Sequence, residues 1–188
     1  SKITAMTEHV VLVDEHNRPI GLEDKYKVHT KDTPLHRGFS LFLFNNQGEL
    51  LLQKRAATKK TWPGVWSNSV CGHPAQDETA QQAAIRRAKY ELGIELKPKQ
   101  IEVILQDYRY RYEHRKVVEN EFCPVMVAAG DFVPVANPAE VADTRWVGWQ
   151  EFLGEIAKPN RYSEWCQEEA KLLNQDPKFR KMMASQTT

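Results

Sequence analysis

Hydrophobic and polar positions along this chain alternate in short stretches whose period shifts between two and about 3.6 residues, which predicts strands interleaved with helices. The clearest strand pair is a hairpin: Gly38 to Phe44 is rich in β-formers, Asn45-Asn46-Gln47-Gly48 carries turn chemistry, and Glu49 to Arg55 returns. Thr58 to Pro74 then reads as a loop with two prolines, two glycines and two tryptophans, Trp62 and Trp66, which should shape it. It is too long for a plain connector, and long ordered loops in compact domains tend to carry function. Asp77 to Leu92 predicts a helix, with Asp77 as N-cap, Ala80, Ala84, Ile85, Ala88 and Leu92 as the apolar stripe, and Gly93 just past its end.

Two long strands are expected next, Ile101 to Tyr112 and Val117 to Ala128, joined by a charged turn at Glu113-His114-Arg115. Alternation puts Tyr108, Tyr110 and Tyr112 on one face of the first, and Glu119, Glu121 and Cys123 on one face of the second. A strand at Thr144 to Val147 leads to a helix at Trp149 to Ala157, an amphipathic helix follows at Tyr162 to Asn174, and Ala184 to Thr188 reads as a polar, mobile tail. The expectation is an α/β (α+β) fold, a mixed β-sheet flanked by helices, in a single domain spanning 1–188.

Composition narrows the function. With 188 residues, 41% hydrophobic and 27% charged, the chain can bury a continuous core. Its 26 Lys and Arg against 25 Asp and Glu leave a net charge of +1, so nothing draws the whole protein to nucleic acid or anionic lipid, and a cationic site has to be local. No apolar run approaches the ~18 residues of a membrane span. The opening SKITAMTEHVV lacks the form of a signal peptide, so a cytoplasmic location is expected. Cys71, Cys123 and Cys166, odd in number and widely spaced, are expected to be free thiols. No dinucleotide fingerprint calls for flavin or nicotinamide, and no obligate protein partner is implied.

Candidate chemistry gathers in and beside the loops. His29, His36 and His73 lie in loop-like segments, and Glu119 and Glu121 leave one strand face. Brought together they would offer more nitrogen and oxygen donors than tetrahedral zinc needs, which suits Mn²⁺ and leaves Zn²⁺ open. Spacing alone does not assemble them, and each histidine taken singly reads as readily as a capping or surface residue, as His9, His16 and His114 do. Cys123 and Cys166 fall in strand and helix patterns where a thiol is a small core hydrophobe, and Cys71 has the same bland alternative.

Gly72, Glu78, Arg86, Glu91, Gly93 and Ile94 stand at the spacings of the Nudix box, a loop-helix-loop signature, but Arg87 and Tyr90 replace two of its carboxylates. Nudix hydrolases use those carboxylates to hold ions that activate water, so hydrolysis should be weakened. The stretches from Trp62 to Pro74, Arg86 to Gly93 and Val118 to Pro124 make the chain resemble the type I isopentenyl-diphosphate isomerases of the Nudix superfamily, from about Glu8 to the helix bearing Trp165.

The resemblance implies a Nudix-like fold and a set of roles. His29, His36, His73, Glu119 and Glu121 would be ligands of Mn²⁺ or Zn²⁺. Cys71 and Glu121 would be the acid and base on opposite faces of the substrate alkene, with Tyr110 helping to relay or hold the proton. Trp165 would lie over the reacting centre, where a cation–π contact of ~2 kcal/mol is worth about 30-fold in rate. Lys25, Arg55, Lys59 and Arg87 would contact the diphosphate of a prenyl substrate, and Glu91 with the Cys71 carbonyl would hold its Mg²⁺. A Nudix diphosphohydrolase and a non-catalytic prenyl-diphosphate binding module are the alternatives.

Overall fold

The computed structural model describes residues 8–186. In chain order the elements are β1 (His9–Val13), β2 (Pro19–Asp24), α1 (Lys25–Val28), β3 (His36–Arg37), β4 (Phe39–Phe44), β5 (Glu49–Arg55), β6 (Trp66–Ser67), β7 (Val70–Gly72) and α2 (Ala80–Leu92). They continue with β8 (Ile101–Leu105), β9 (Arg109–His114), β10 (Val117–Phe122), β11 (Val125–Ala129), β12 (Val141–Gly148), α3 (Trp149–Ile156), α4 (Glu164–Gln175) and α5 (Pro177–Ser185). A five-stranded sheet has the order β2-β1-β3-β10-β9, and a seven-stranded one the order β12-β5-β4-β11-β8, with β6 beside β5 and β7 beside β4. Both are mixed: β11 runs parallel to β4, and β10 parallel to β3.

Every residue of β4 is buried, and its alternation divides the core in two. Phe42 and Phe44 face α3, α4 and α5 through Phe152, Trp165, Leu173 and Phe179. Phe39, Leu41 and Leu43 face the opposite way, onto Ala83, Ala84, Ala88 and Leu92 of α2. The seven-stranded sheet is thus flanked by helices on both faces, as the alternating pattern predicts.

Several expected elements are redrawn. Each of the two long strands is two: the chain leaves the seven-stranded sheet after Leu105, enters the other at Arg109, and comes back between Phe122 and Val125. Pro124 has no N–H to give a ladder, and the Cys123 amide donates instead to the Tyr108 carbonyl across the two breaks, at 2.8 Å. The β9–β10 turn is Arg115-Lys116, both at positive φ (49° and 66°), not Glu113-His114-Arg115, because such two-residue hairpin turns match the strand twist. The Thr58 to Pro74 loop contains β6 and β7. Helix α5 reaches Ser185, so Ala184 and Ser185 are helical rather than tail, and Thr187 and Thr188 lie outside the described residues.

Thr79, not Asp77, caps α2. Its hydroxyl accepts the Gln82 amide at 3.1 Å while the Gln82 side chain accepts the Thr79 amide at 2.9 Å, and Gly93 closes the other end at φ 62°. Thr79→Ala should cost about 1 kcal/mol in urea unfolding and leave the slope unchanged, whereas Asp77→Ala should cost only a few tenths.

Candidate active site

Three of the five expected ion-binding side chains come from the five-stranded sheet. Glu119 and Glu121 alternate on β10 and so leave one face, and the parallel pairing with β3 sets His36 beside Glu121. His29 is the residue that ends α1, and His73 follows β7 of the other sheet. The three imidazole centroids form a near-equilateral triangle with sides of 5.2, 5.3 and 5.1 Å. Glu119 Oε1 lies 2.9 Å from Nε2 of both His29 and His36. Glu121 Oε2 lies 2.9 Å from His73 Nε2 and 3.5 Å from His36 Nε2.

The far side of each ring decides which nitrogen is offered. His29 Nδ1 is 3.2 Å from the Lys25 carbonyl and His36 Nδ1 is 2.9 Å from the Pro34 carbonyl. A carbonyl only accepts, so each Nδ1 carries the hydrogen and each Nε2 turns inward. His36 Nε2 is buried and close to Glu119, yet not aligned with it as a hydrogen bond. A lone pair facing a carboxylate oxygen is repulsive unless a proton or a cation lies between them. The donor set therefore fits a divalent cation.

Without that cation a proton takes its place. Burial alone would lower His36, but the Glu119 and Glu121 carboxylates outweigh it and raise its pKa to about 10. Burial likewise favours a neutral Glu119, yet His29 and His36 hold it well below the usual carboxylate range.

A cavity of about 250 Å³ opens beside this cluster. Cys71, Tyr110, Trp165, Glu119, Glu121, His29 and His73 line it, together with all four expected diphosphate contacts, Lys25, Arg55, Lys59 and Arg87. Tyr110 stands directly opposite Glu121 in the β9–β10 ladder, so both side chains emerge on one face. Burial pushes the Tyr110 hydroxyl well above its ordinary range, and the Glu121 and Glu119 charges add to the effect. Burial raises the Cys71 thiol to about 12, so it rests protonated. Its S–H donates to Asn68 Oδ1 at 3.2 Å. Trp165 stacks on Tyr110 with centroids 5.6 Å apart.

Behind Trp165 stands Trp62, 4.8 Å away edge-on, in a left-handed conformation (φ 47°) uncommon for a bulky residue. Its indole N–H donates to Glu164 at 2.7 Å, and His114 stacks on its far face at 5.3 Å, so His114 is a packing residue rather than a surface one. Cys123 and Cys166 are fully buried, as expected of core thiols.

The cations are already partnered. Lys25 pairs with Glu8 at 2.9 Å, Lys59 is hydrogen-bonded to Glu140, and Arg87 meets Glu91 at 2.8 Å and Glu140 at 3.3 Å. Arg55 instead donates to the Thr61 carbonyl and hydroxyl. Burial would lower Lys59 and Arg87 alike; Arg55 helps lower Lys59, while Glu91 and Glu140 more than restore Arg87. Of the expected site residues, His36 and Glu91 do not line the cavity. Both Glu91 oxygens are engaged, by Gln53 at 3.2 Å and by Arg87. Glu140, which sequence reasoning missed, lines the cavity instead; it follows Asn-Pro-Ala in an irregular stretch with no periodicity to mark it.

Residues 34–166 match the NUDIX domain family. The DR0079 protein of Deinococcus radiodurans shares the fold at a TM-score of 0.69 with 22% identity, covering 87% of this chain and 98% of that one. A MutT protein of Methanosarcina mazei does so at a TM-score of 0.59 with 17% identity, covering 79% and 95%. The class is therefore the Nudix fold, with Arg87 and Tyr90 in place of two carboxylates of its box.

Sequence relatives make the assignment particular. A Citrobacter koseri protein named isopentenyl-diphosphate Delta-isomerase is 46% identical over 160 residues, 84% of this chain and 87% of its own. One of the same name from Klebsiella pneumoniae is 47% identical over 171 residues, 90% and 91% of the two chains. The chain belongs to the isopentenyl-diphosphate Delta-isomerases of the Nudix superfamily.

A Cβ placed on Gly38 would lie 1.8 Å from Glu121 Oε1, so Gly38→Ala must displace that carboxylate. The variant is expected to fold and to lose about 10- to 100-fold in divalent-ion affinity by calorimetry. Loading the ion-free protein at neutral pH should also release protons, since the raised His36 is protonated below about 10 and must give up its proton to act as a ligand. Titration in two buffers of different ionisation enthalpy counts them, and a count of zero would contradict this arrangement.

Proposed function

We propose that this protein interconverts isopentenyl diphosphate and dimethylallyl diphosphate by proton addition and removal. The observation that carries the reading is that one cavity holds a thiol, a tyrosine-backed carboxylate, an indole face and four cations. Moving a double bond along an isopentenyl chain needs a proton delivered at one carbon and another removed two carbons away, so two proton-exchanging groups are a chemical requirement. Cys71 and Glu121 take those roles. Tyr110, opposite Glu121 and kept as a neutral phenol, holds or relays the proton on that side. Trp165 offers its π-face to the carbocation that protonating an alkene generates.

His29, His36, His73, Glu119 and Glu121 would hold Mn²⁺ or Zn²⁺, which when bound neutralises the buried carboxylates and fixes the Glu121 carboxyl. Mixed nitrogen and oxygen donors numbering more than four favour Mn²⁺. Lys25, Arg55, Lys59 and Arg87 bind the diphosphate, and Arg87 turns a position where a hydrolase keeps an ion-binding carboxylate into a phosphate clamp. Mg²⁺ would accompany the diphosphate. Glu91 and the Cys71 carbonyl are its proposed ligands, and each Glu91 oxygen keeps a lone pair beyond the one its Gln53 or Arg87 donor takes. Free thiols at all three cysteines support a cytoplasmic setting, and no described helix is long and apolar enough to cross a membrane.

Incubation of ion-replete protein with isopentenyl diphosphate in D₂O should yield dimethylallyl diphosphate carrying solvent deuterium by NMR, with no phosphate released. Cys71→Ala, folded by circular dichroism, should lose at least about 100-fold in kcat. Phosphate without isomer would establish a diphosphohydrolase instead, and tight binding without turnover a binding module.

A further inference from the structure

Helix α4 presents a second functional group one turn beyond Trp165. Glu169 is fully buried, on the face of α4 that enters the core, where Ala170 and Leu173 are apolar. Its Oε2 accepts from the Cys123 thiol at 3.7 Å, and its Oε1 has no hydrogen-bond partner among the described residues. No Lys, Arg or His forms an ion pair with it among those residues. A buried carboxyl left half-satisfied costs stability that a leucine or methionine would not, and such groups concentrate where chemistry is done.

What surrounds it is the back wall of the cavity. The Ser40 hydroxyl lies 3.4 Å from Cys123 Sγ, the thiol that donates to Glu169, and 3.8 Å from Cys71 Sγ. Ser40 is opposite Cys71 in the β4–β7 ladder, which fixes that contact through the backbone. Burial, reinforced by the Glu121 charge, pushes the Glu169 carboxyl well above its usual range.

Resting on the isomerase reading, we infer that Glu169 is a positioning residue for the proton-transfer step, a buried carboxyl that holds the Cys123 thiol and, through it and the Ser40 hydroxyl, the Cys71 sulfur. Cys71 has three neighbours to satisfy: Asn68 accepts its S–H, Ser40 approaches from behind, and the substrate carbon must take the remaining direction. With the Cys123 S–H given to Glu169, the Ser40 hydroxyl is the donor in its contact with Cys123, so the Ser40 oxygen is fixed beside Cys71 and the thiol is held in one rotamer. Nothing in this role touches the diphosphate cations or the imidazole cluster, so it acts on turnover and not on binding.

The test compares Glu169→Leu, Glu169→Gln and Ser40→Ala with the unaltered holoenzyme for isomerase kinetics, bound ion and thermal unfolding. Glu169→Leu should lower kcat about tenfold or more with KM within about twofold. It should also unfold at a higher temperature, since an unsatisfied carboxyl has been removed; a merely structural role would move kcat and stability together. Glu169→Gln, whose amide oxygen still accepts from the Cys123 thiol, should recover most of kcat. Combining Ser40→Ala with Glu169→Leu should cost no more than the worse single change. Full kcat in Glu169→Leu, losses that multiply in the double variant, or a kcat loss accompanied by lower stability and lost ion would each overturn the inference. Absence of isomer with the unaltered holoenzyme would instead overturn the isomerase reading on which it rests.

Discussion

Two carboxylates on one strand, driven into the protein interior, set the terms for the rest of this molecule. Glu119 and Glu121 are almost wholly buried, and an unpaired carboxylate there would cost several kcal/mol. Their charge is met by three imidazoles that arrive from three separate places: the end of α1, the short strand β3, and the segment after β7. His73 directly follows β7 of the seven-stranded sheet, while the glutamates lie in the five-stranded one, so the cluster ties the two sheets together. Gly38 keeps that junction open, since no other residue there leaves room for Glu121. The cavity beside it inherits its polar wall from this arrangement and its apolar wall from Tyr110 and Trp165, which Trp62 backs.

Much of the fold was legible where one periodicity runs unbroken over a full element. The hairpin of β4 and β5, helix α2 with its closing glycine, and helices α3 and α4 stand within a few residues of where pattern places them. The misplacements share a physical cause. At 106–108 and 123–124 the alternation of side chains continues while the backbone changes sheets, and alternation reports facing, not partnership. Strand β3 has only two residues, and β2 turns both faces outward, so no amphipathic signal marks either.

The site was legible in a different way. Periodicity put Glu119 with Glu121, and set Tyr110 and Cys71 in strand and loop, but only resemblance to a family could bring histidines from positions 29, 36 and 73 together. Long-range assembly is not written in local pattern. Glu140 and Ser40 had no signal at all, whereas Glu169 had a faint one, a carboxylate on the face of an amphipathic helix that ought to be apolar. The Nudix box carried more information in its departures than in its matches. Arg87 retains the helical geometry of the position it occupies and reverses its charge, and the guanidinium is held by Glu91, one helical turn on, a residue the box keeps.

The ion pairs at the cavity wall carry a consequence for how a charged ligand enters. Lys25, Lys59 and Arg87 each already have a carboxylate partner, and Arg55 alone of the four is bonded to neutral groups. A polyanion bound as proposed would therefore not meet a bare field but would trade places with Glu8, Glu140 and Glu91, anion for anion. Such an exchange conserves the number of close opposite-charge contacts, so its energetics are those of a swap rather than of a capture. Arg55 would be the exception, the position where a new attraction would be gained outright, and it is also the guanidinium that lies 5.9 Å from the Trp165 ring, where anchoring and reacting ends of a small substrate would meet.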